Sequence, residues 1–299
     1  MINIDPKKIS TRELHKYLVS SIGPRPIALA STIDNSGNNN LSPFSFFNIF
    51  SSNPPIAIFS PSRRVRNNTT KDTLENIKEN KEVVINIVTK KLVEQASLSS
   101  IEYPSNVDEF IKAGLTPISS DIITPKRVKE SPIHLECKVN DIISLGQNGG
   151  AGNLIICKIV LIHINENILS ETGEVDPNKV QLVGRLGQNW YCDAFDNSLF
   201  EINKPPTTIG VGFDRIPVGI KNSSILNKND LAKLASIDKI PSLEEIKLFI
   251  KNEKMENFIK LNETQENINN RHIKAREYIN SNNIEKAWKI LLLYKINIK

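Results

Sequence analysis

The 299-residue sequence predicts a mainly β fold with peripheral helices, followed by a helical C-terminal extension. Short apolar runs rich in β-branched residues alternate with segments dense in Pro, Ser, Asn and Gly, as is typical of strands joined by turns. Two long strand-like runs, 133–145 and 153–164, flank a Gly-rich turn and predict a hairpin. After residue 202 the pattern changes to a linker and helices.

The remaining elements of the first 202 residues follow from local patterns. Short apolar runs predict three strands, over 27–33, 55–59 and 83–88, and the second of them suits burial on both faces. Helical spacing and cap residues predict four helices, over 10–20, 70–80, 93–100 and 107–113. We expect 117–132 to be an irregular connection and 178–186 to hold one last element before Trp190.

Pro205 and Pro206 mark the start of the extension, so we divide the chain into domains 1–202 and 203–299. Ser242 and Glu245 have the spacing of a capping box and predict a helix to residue 251. Two further helices, over 266–279 and 284–294, are predicted to form a hairpin. We expect the extension to pack against its own protein, because about 100 residues of helix rarely bury enough surface alone.

Composition excludes several classes of protein. The net charge of +5 is dispersed, whereas nucleic-acid binders concentrate basic residues on one face. No run of 18 apolar residues and no signal-peptide core occurs, so we expect no membrane partner and a cytoplasmic location. The three widely spaced cysteines, Cys137, Cys157 and Cys192, are predicted to be free thiols.

The usual catalytic motifs are missing. No Gly-x-Ser-x-Gly, phosphate loop or dinucleotide fingerprint occurs, and the four histidines lack the paired spacing of metal ligands. His134 and His163 fall in predicted strands, where we expect hydrogen-bonded structural rings. We therefore predict neither a protein catalytic residue nor a metal site.

An aromatic cluster lies between the first two predicted strands. Three phenylalanines occur among hydroxyl and amide groups in the run Ser42-Pro43-Phe44-Ser45-Phe46-Phe47-Asn48. Ring faces with a few fixed donors suit a planar ligand that has polar edges.

A basic segment follows the aromatic cluster. Arg63, Arg64, Arg66 and Lys71 precede or open the predicted helix 70–80, whose N-terminus favours a phosphate. The alternative is a solvated basic loop with an ordinary cap, because Thr69 and Asp72 also fit a capping box. In both interpretations we expect the Lys71 side chain to be exposed in the free protein.

The order of these pieces resembles a known family. The runs GPRPIALAST, LSPFSFFN, PPIAIFSPSRR and NTTKDTLENI, followed by VVINIV, SPIHLECKV, GGAGNLIICKIV and NWYC, resemble the flavin reductase-like FMN-binding split barrels, which include the flavoredoxins. The resemblance spans about residues 17–192. It implies an antiparallel Greek-key split barrel that binds FMN, usually as a homodimer with flavin sites near the interface.

The resemblance also implies an activity, in which NADH or NADPH passes a hydride to bound FMN and an unknown acceptor takes the electrons. The cofactor performs the redox chemistry, which agrees with the lack of a catalytic motif. We predict a ring-binding set beside the isoalloxazine, Ser45, Phe46, Phe47 and Asn48. We predict a second set around the ribityl chain and phosphate, Ser60, Arg63, Lys71, Asp72 and Thr73, with Arg25 as a further anion contact. Asp72 would act through its backbone N–H or as a cap.

Two alternatives belong to other classes of protein. The barrel would bind FMN as a carrier or sensor without turnover, or the chain would be a cofactor-free interaction protein. Trp190 and Tyr191 would cover a flavin or a dimer seam, or pack in the core.

Overall fold

The computed structural model describes residues 1–202, 209–253 and 264–296. The chain divides into two compact units, Met1–Phe200 and Glu201–Lys299. Each unit is described by itself, and the division into functional domains 1–202 and 203–299 stays a proposal.

The first unit is built on a seven-stranded antiparallel sheet. The seven strands of the sheet are β1 (Ala28–Ile33), β2 (Asn39–Phe44), β3 (Phe47–Ser52), β4 (Pro55–Phe59), β5 (Glu82–Ile87), β8 (Ile133–Ser144) and β9 (Asn153–Ile164). A separate short pair is formed by β6 (Pro117–Ile118) and β7 (Arg127–Val128). The order across the sheet is β2-β1-β5-β8-β9-β4-β3. The hairpin of β8 and β9 around the Gly-rich turn is confirmed, with pairing from Ile133↔Ile164 to Ser144↔Asn153.

The two edge strands of this sheet are consecutive in the chain. β2 ends at Phe44 and β3 begins at Phe47, so only Ser45 and Phe46 join one edge to the other. Three Cα steps span at most about 11 Å, so the sheet has to roll up until its edges nearly meet. No strand ladder joins these edges in the described part of the chain, so the rolled sheet is a split barrel, as predicted.

Peripheral helices and one small hairpin surround the barrel. They are α1 (Thr11–Ser21), α2 (Asp72–Asn80), α3 (Val93–Leu98), α4 (Glu109–Ala113), α5 (Pro177–Val180), β10 (Val183–Arg185) and β11 (Tyr191–Asp193). A capping box of Ser10 and Glu13 starts α1. Gly114 ends α4 with a φ of 65°, a left-handed conformation that glycine adopts without strain.

Apolar residues are buried on both sides of the central strands. Ala28 and Ala30 point into the barrel with Phe59 and Ile85, while Leu29 points outward. The outward layer is covered by α3 and α4, through Ala96, Phe110 and Ala113. Cys137 and Cys157 are free thiols inside the barrel, and Cys192 is a half-buried free thiol.

The second unit is helical and has its own hydrophobic core. Its helices are α6 (Val218–Lys221), α7 (Lys228–Ala235), α8 (Leu243–Glu253), α9 (Gln265–Asn280) and α10 (Ile284–Leu291). Trp288 is fully buried at its centre and donates from Nε1 to the Leu234 carbonyl at 2.8 Å. The expectation that about 100 residues of helix bury too little surface alone therefore does not hold for this segment, and its packing against the rest of the protein stays a prediction. None of the helices in the described ranges is long and apolar enough to cross a membrane.

Several predicted elements need correction. The strands 39–44 and 47–52 are not foreseen, because Pro43 and the polar neighbours hide an alternating pattern. In β4 the inward Ala57 and Phe59 are buried, but Ile56 and Ile58 are only half-buried, so burial on both faces is wrong. The segment 117–132 holds β6 and β7, and 178–186 divides between α5 and β10.

The barrel core yields a testable comparison between two phenylalanines. Phe59→Ala removes a fully buried ring and is expected to lower the free energy of unfolding by about 3–5 kcal/mol. Phe46→Ala removes a ring that is 41% exposed and should cost less than about 1 kcal/mol. Urea unfolding, followed by hydrogen exchange in barrel peptides, measures both; equal losses would contradict the packing described here.

Candidate functional site

A cavity of about 570 Å³ opens at the split of the barrel. We call it the split groove; α1 forms one wall, the Ser45–Phe46 link another, and the end of β10 a third. It brings together five of the predicted site residues, Arg25, Ser45, Phe46, Ser60 and Lys71. It adds His15, Lys16 and Arg185, and no Asp or Glu lines it among the described residues. The groove is therefore positively charged.

The predicted wall of three aromatic rings is wrong, because Phe44 and Phe47 pack on the barrel core and Phe46 lies in the link between their strands. Phe44 still borders the groove. Phe44 is buried inside the barrel against Phe59, with ring centroids 5.2 Å apart. Phe47 packs on the barrel core from outside the groove lining. Phe46 alone of the three is exposed, and it meets the His15 ring edge-on at 6.1 Å. Asn48 is exposed on β3, so ring contacts by Phe47 and Asn48 remain predictions.

Lys71 lies at the N-terminus of α2, but not in the predicted manner. The helix begins at Asp72, Lys71 is its cap residue, and no side chain caps the helix. The Thr69 hydroxyl donates to Asn67 Oδ1 at 2.9 Å, so the predicted Thr69–Asp72 capping box is wrong. The backbone N–H groups of Asp72 and Thr73 have no hydrogen-bond partner in the described part of the chain.

The Lys71 side chain is half-buried, which corrects the expectation that it is exposed. Its Nζ donates to Ser42 Oγ at 3.3 Å and lies 5.1 Å from the Phe44 ring centroid. Burial, and then the nearby Arg64 guanidinium, lower the pKa of Lys71. The ammonium group is therefore held in place at the groove rather than left free in solvent.

The predicted arginines of the basic segment brace their own loop. Arg63 donates to Asn68 Oδ1 at 2.7 Å and to the Asn68 carbonyl at 2.6 Å, outside the groove lining. Arg64 pairs with Glu102 at 3.2 Å and donates to the Thr70 carbonyl. The role of Arg63 at a phosphate stays a prediction. Arg64 is a further cation beside Lys71, and it is not among the predicted cofactor-binding residues.

Thr73 and Asp72 lie behind Lys71. The Thr73 hydroxyl is buried and accepts from Asn40 Nδ2 at 2.9 Å, and Asn40 also donates to Thr32 Oγ1 at 3.0 Å. Both residues line a small cavity of about 20 Å³ that also holds Glu109, whose pKa is raised by burial. The side chains therefore support the helix start, and their backbone N–H groups remain the donors available to a ligand.

Arg25 holds the groove together. Its guanidinium donates to the carbonyls of Val19 and Ile22 at the end of α1, the latter at 2.7 Å. It also donates to the Leu186 carbonyl at 3.1 Å, while Nε has no partner. Burial, and then the Arg185 charge, lower the pKa of Arg25. Its predicted contact with an anion stays untested, and the contacts that the structure shows are structural.

Ser60 lies at the floor of the groove against the β8–β9 hairpin. A Cβ at position 152 would lie 2.6 Å from Ser60 Oγ, so glycine is required for this close approach. The Ser60 N–H donates to the Phe46 carbonyl at 2.9 Å, which ties the link to the end of β4. The serine hydroxyl is thereby fixed beside Phe46.

Arg185 is a groove residue that the sequence reasoning missed. It donates to the carbonyls of Gln188 and Trp190, the latter at 3.2 Å, and its Cζ lies 4.5 Å from the Tyr191 ring centroid. Trp190 is 69% exposed and Tyr191 38%, so the core-packing alternative for this pair is wrong. The NWYC run at 189–192, one of the runs that carry the family resemblance, is the sequence feature that could have pointed to Arg185.

A separate polar cluster lies on β8 and β9. The buried Glu136 carboxylate accepts from the backbone N–H groups of Asp121, Ile122 and Ile123 and from His163 Nε2 at 2.7 Å. One ligand atom each from Asp121, Glu136 and His163 lies within 4.8 Å of the others, the spacing of a metal site. Four hydrogen bonds already occupy the carboxylate, so we interpret the cluster as an anchor for the loop. His134 bonds to the Val128 carbonyl at 2.8 Å, so both strand histidines are hydrogen-bonded as predicted.

Comparisons with known proteins agree with this architecture. The family model for the flavin reductase like domain matches residues 20–179. An uncharacterized protein of Aquifex aeolicus is 37% identical over 182 residues, which cover 61% of this chain and 90% of that protein. Component B of nitrilotriacetate monooxygenase from Bacillus cereus has a similar structure, with 31% identity, a TM-score of 0.63, and coverage of 68% of this chain and 98% of that one.

The chain therefore belongs to the flavin reductase like domain family. Flavoredoxin of Desulfovibrio vulgaris (Miyazaki F) shares the fold, with 24% identity, a TM-score of 0.52, and coverage of 61% of this chain and 91% of that one. The predicted resemblance and the split-barrel fold are thus confirmed, and a flavin-related oxidoreductase function follows from the family.

The Glu136 cluster predicts how stability depends on pH. Burial alone would raise the pKa of Glu136, but hydrogen bonds from the Asp121 N–H and then His163 outweigh it and lower the pKa below 4.5. A lowered folded-state pKa means that the stabilisation is complete above the unfolded value and is lost as pH falls through the folded one. Glu136→Gln should lower the free energy of unfolding by about 1–3 kcal/mol at neutral pH, a deficit that shrinks in acid.

Urea unfolding, followed by hydrogen exchange in barrel peptides between about pH 7 and pH 3, measures this dependence. Glu94→Gln, at an exposed position of α3, is the control and should match the wild type throughout. A deficit for Glu136→Gln that stays constant with pH would contradict the role given to this carboxylate.

Proposed function

We propose that the protein is an FMN-dependent oxidoreductase that takes a hydride from NADH or NADPH and passes electrons to a further acceptor. One observation carries the proposal: Lys71, at a helix N-terminus, lines a groove in which no Asp or Glu occurs among the described residues. Behind it, the N–H groups of Asp72 and Thr73 have no partner in the same described ranges. Such a helix start binds phosphate readily. The groove also has a volume typical of cofactor sites, about 570 Å³.

The residues present fit FMN. Lys71 and the N–H groups of Asp72 and Thr73 would hold the phosphate, and the hydroxyls of Ser45 and Ser60 would face the ribityl chain and ring edge. Phe46 offers the exposed aromatic face. Arg63, Phe47 and Asn48 do not line the groove, and their contacts with FMN stay predictions.

The flavin, when bound, supplies the redox chemistry between the nicotinamide and the acceptor. The chain binds it, orients it and surrounds it with positive charge from Lys16, Lys71 and Arg185, which favours an anionic ligand. A carrier or sensor that binds FMN without turnover is the alternative. Steady-state oxidation of NADH and NADPH with added acceptors separates the two functions.

Lys71→Ala tests the phosphate assignment. A charge-assisted hydrogen bond contributes roughly 1.5–3 kcal/mol, so FMN affinity should fall about ten- to a hundredfold. Riboflavin has no phosphate, and its affinity should not change. Quenching of flavin fluorescence measures both ligands, and the wild type should prefer FMN.

Lys78→Ala is the matched control. Lys78 lies on the same helix, 48% exposed and paired with Glu75, away from the groove lining. It should leave both affinities unchanged, as should Thr69→Ala, since Thr69 does not cap the helix. Equal affinities of the wild type for FMN and riboflavin would refute the phosphate site.

We also propose that the protein is a homodimer. An antiparallel strand with one solvated face normally alternates apolar and polar residues. Along β9, however, the outward positions Ile156, Val160 and Ile162 are apolar and partly exposed, and the exposed Lys158 is the charged residue among them. The outward Ile56 and Ile58 of the neighbouring β4 extend this surface. A second copy of the chain would cover it.

Light scattering at micromolar concentration tests the assembly. Ile162→Glu places a charge on this face, where Ile162 is 50% exposed, and should increase the dissociation constant of the dimer at least tenfold. Ile111→Glu, at a 78% exposed position on α4, is the control and should leave the dimer intact. A flavin-loaded wild-type monomer would contradict the proposal.

A further inference from the structure

A second cavity, of about 220 Å³, lies beside the split groove. We call it the side cavity. It shares Pro43, Ser45 and Arg185 with the groove, so the end of β2 and the Arg185 side chain form the partition between the two spaces. The residues proposed to bind the FMN phosphate, Lys71, Asp72 and Thr73, do not line the side cavity.

The walls of the side cavity combine apolar side chains with small hydroxyl-bearing ones. Helix α3 and the turn after it contribute Val93, Ala96, Ser97 and Ser100, at the i, i+3, i+4 and i+7 spacing of one helix face. Ile27, which shares a buried cluster with Ala96, also lines the cavity. Three of the four positions on the helix face carry Ala or Ser, and their small side chains leave room for a flat, ring-sized molecule.

Arg185, Ser45 and Tyr191 bring further polar groups to the side cavity from outside α3. Arg185 is the one charged residue among the described residues that line it, and no carboxylate pairs with this guanidinium in the described ranges. Two carbonyls, those of Trp190 and Gln188, and the Tyr191 ring fix its plane. Each terminal nitrogen keeps one N–H after these bonds, and Nε keeps its own.

Two hydroxyl groups complete this set of donors. Ser45 and Tyr191 line the side cavity, and neither hydroxyl has a hydrogen-bond partner among the described residues. A fixed guanidinium recognises a planar carboxylate through two parallel hydrogen bonds. No carboxylate of the described residues pairs with this half-buried guanidinium, and Ile27, Pro43 and Ala96 give the cavity an apolar part. The site therefore suits an anion with a ring-sized apolar body.

We propose that the side cavity binds a small aromatic carboxylate, with its carboxylate on Arg185 and its ring between Ile27 and the α3 face. The inference rests on the proposed function in one respect, namely that the ligand would lie beside a flavin. In that position the ligand would be the second substrate, and the inference gives its chemical class. Binding to the flavin-free protein requires no flavin.

Isothermal titration of the flavin-free full chain with benzoate tests the proposal, and benzamide is the neutral ligand of the same shape. Benzoate should bind in the millimolar range or tighter, at least tenfold more tightly than benzamide. Saturation with FMN should leave benzoate binding in place. Arg185→Gln should reduce benzoate affinity at least tenfold and leave benzamide affinity unchanged.

Arg185→Gln also removes the hydrogen bonds to Trp190 and Gln188, and this loss alone could weaken binding. A second variant therefore changes the cavity and leaves Arg185 in place. Ser97→Leu fills the side cavity from an exposed helix position and should abolish benzoate binding while FMN affinity stays unchanged. Lys16→Gln, which lines only the split groove, is the control and should bind benzoate like the wild type.

Four results would each overturn the proposal: no benzoate binding to the wild type, equal binding of benzamide, full affinity in Ser97→Leu, or displacement of benzoate by FMN. Displacement would mean that the side cavity is part of the flavin site. Benzoate binding without FMN binding would instead refute the proposed function and support this inference, so the two failures are distinguishable.

Discussion

The two-residue link between β2 and β3 is the constraint on which the barrel and its groove depend. Ser45 and Phe46 join the opposite edges of a seven-stranded sheet, so the sheet has to close while its edges stay unpaired. The split that results is where the groove opens, and Phe46 is exposed there because the chain turns from one edge to the other. Fold and candidate site are thus consequences of one short connection.

Charge is distributed unevenly around this split. The groove collects cations, Lys16, Lys71 and Arg185, while the nearby carboxylates are used elsewhere. Glu102 pairs with Arg64, and Glu109 accepts from the Leu41 N–H beneath the sheet edge. No Asp or Glu of the described residues lines the groove itself, so its lining carries net positive charge. That separation favours an anionic cofactor and supports the assignment to a flavin-binding family.

Much of the candidate site was predictable, and the errors have a common cause. Ser45, Phe46, Ser60, Lys71 and Arg25 were chosen from short local runs, and the groove brings them together. The three-ring wall failed because Phe44 and Phe47 lie on β2 and β3 and face the barrel core, while Phe46 lies in the link between them. Neither segment was recognised as a strand. Arg185 was missed because it approaches from β10, 140 positions beyond Ser45 in the chain.

The sequence by itself determined the strand-rich class, the β8–β9 hairpin, the presence of most helices and the family resemblance, because these depend on local periodicity and ordered motifs. Tertiary structure decided which donors remain free. Arg63 donates hydrogen bonds to Asn68, and Arg25 donates to three backbone carbonyls. The ammonium group of Lys71 remains at the groove, bonded to Ser42. Tertiary structure also decided that the helical extension has its own core around Trp288. Hydrogen-bond partners and buried area depend on contacts between distant segments, and no local pattern encodes them.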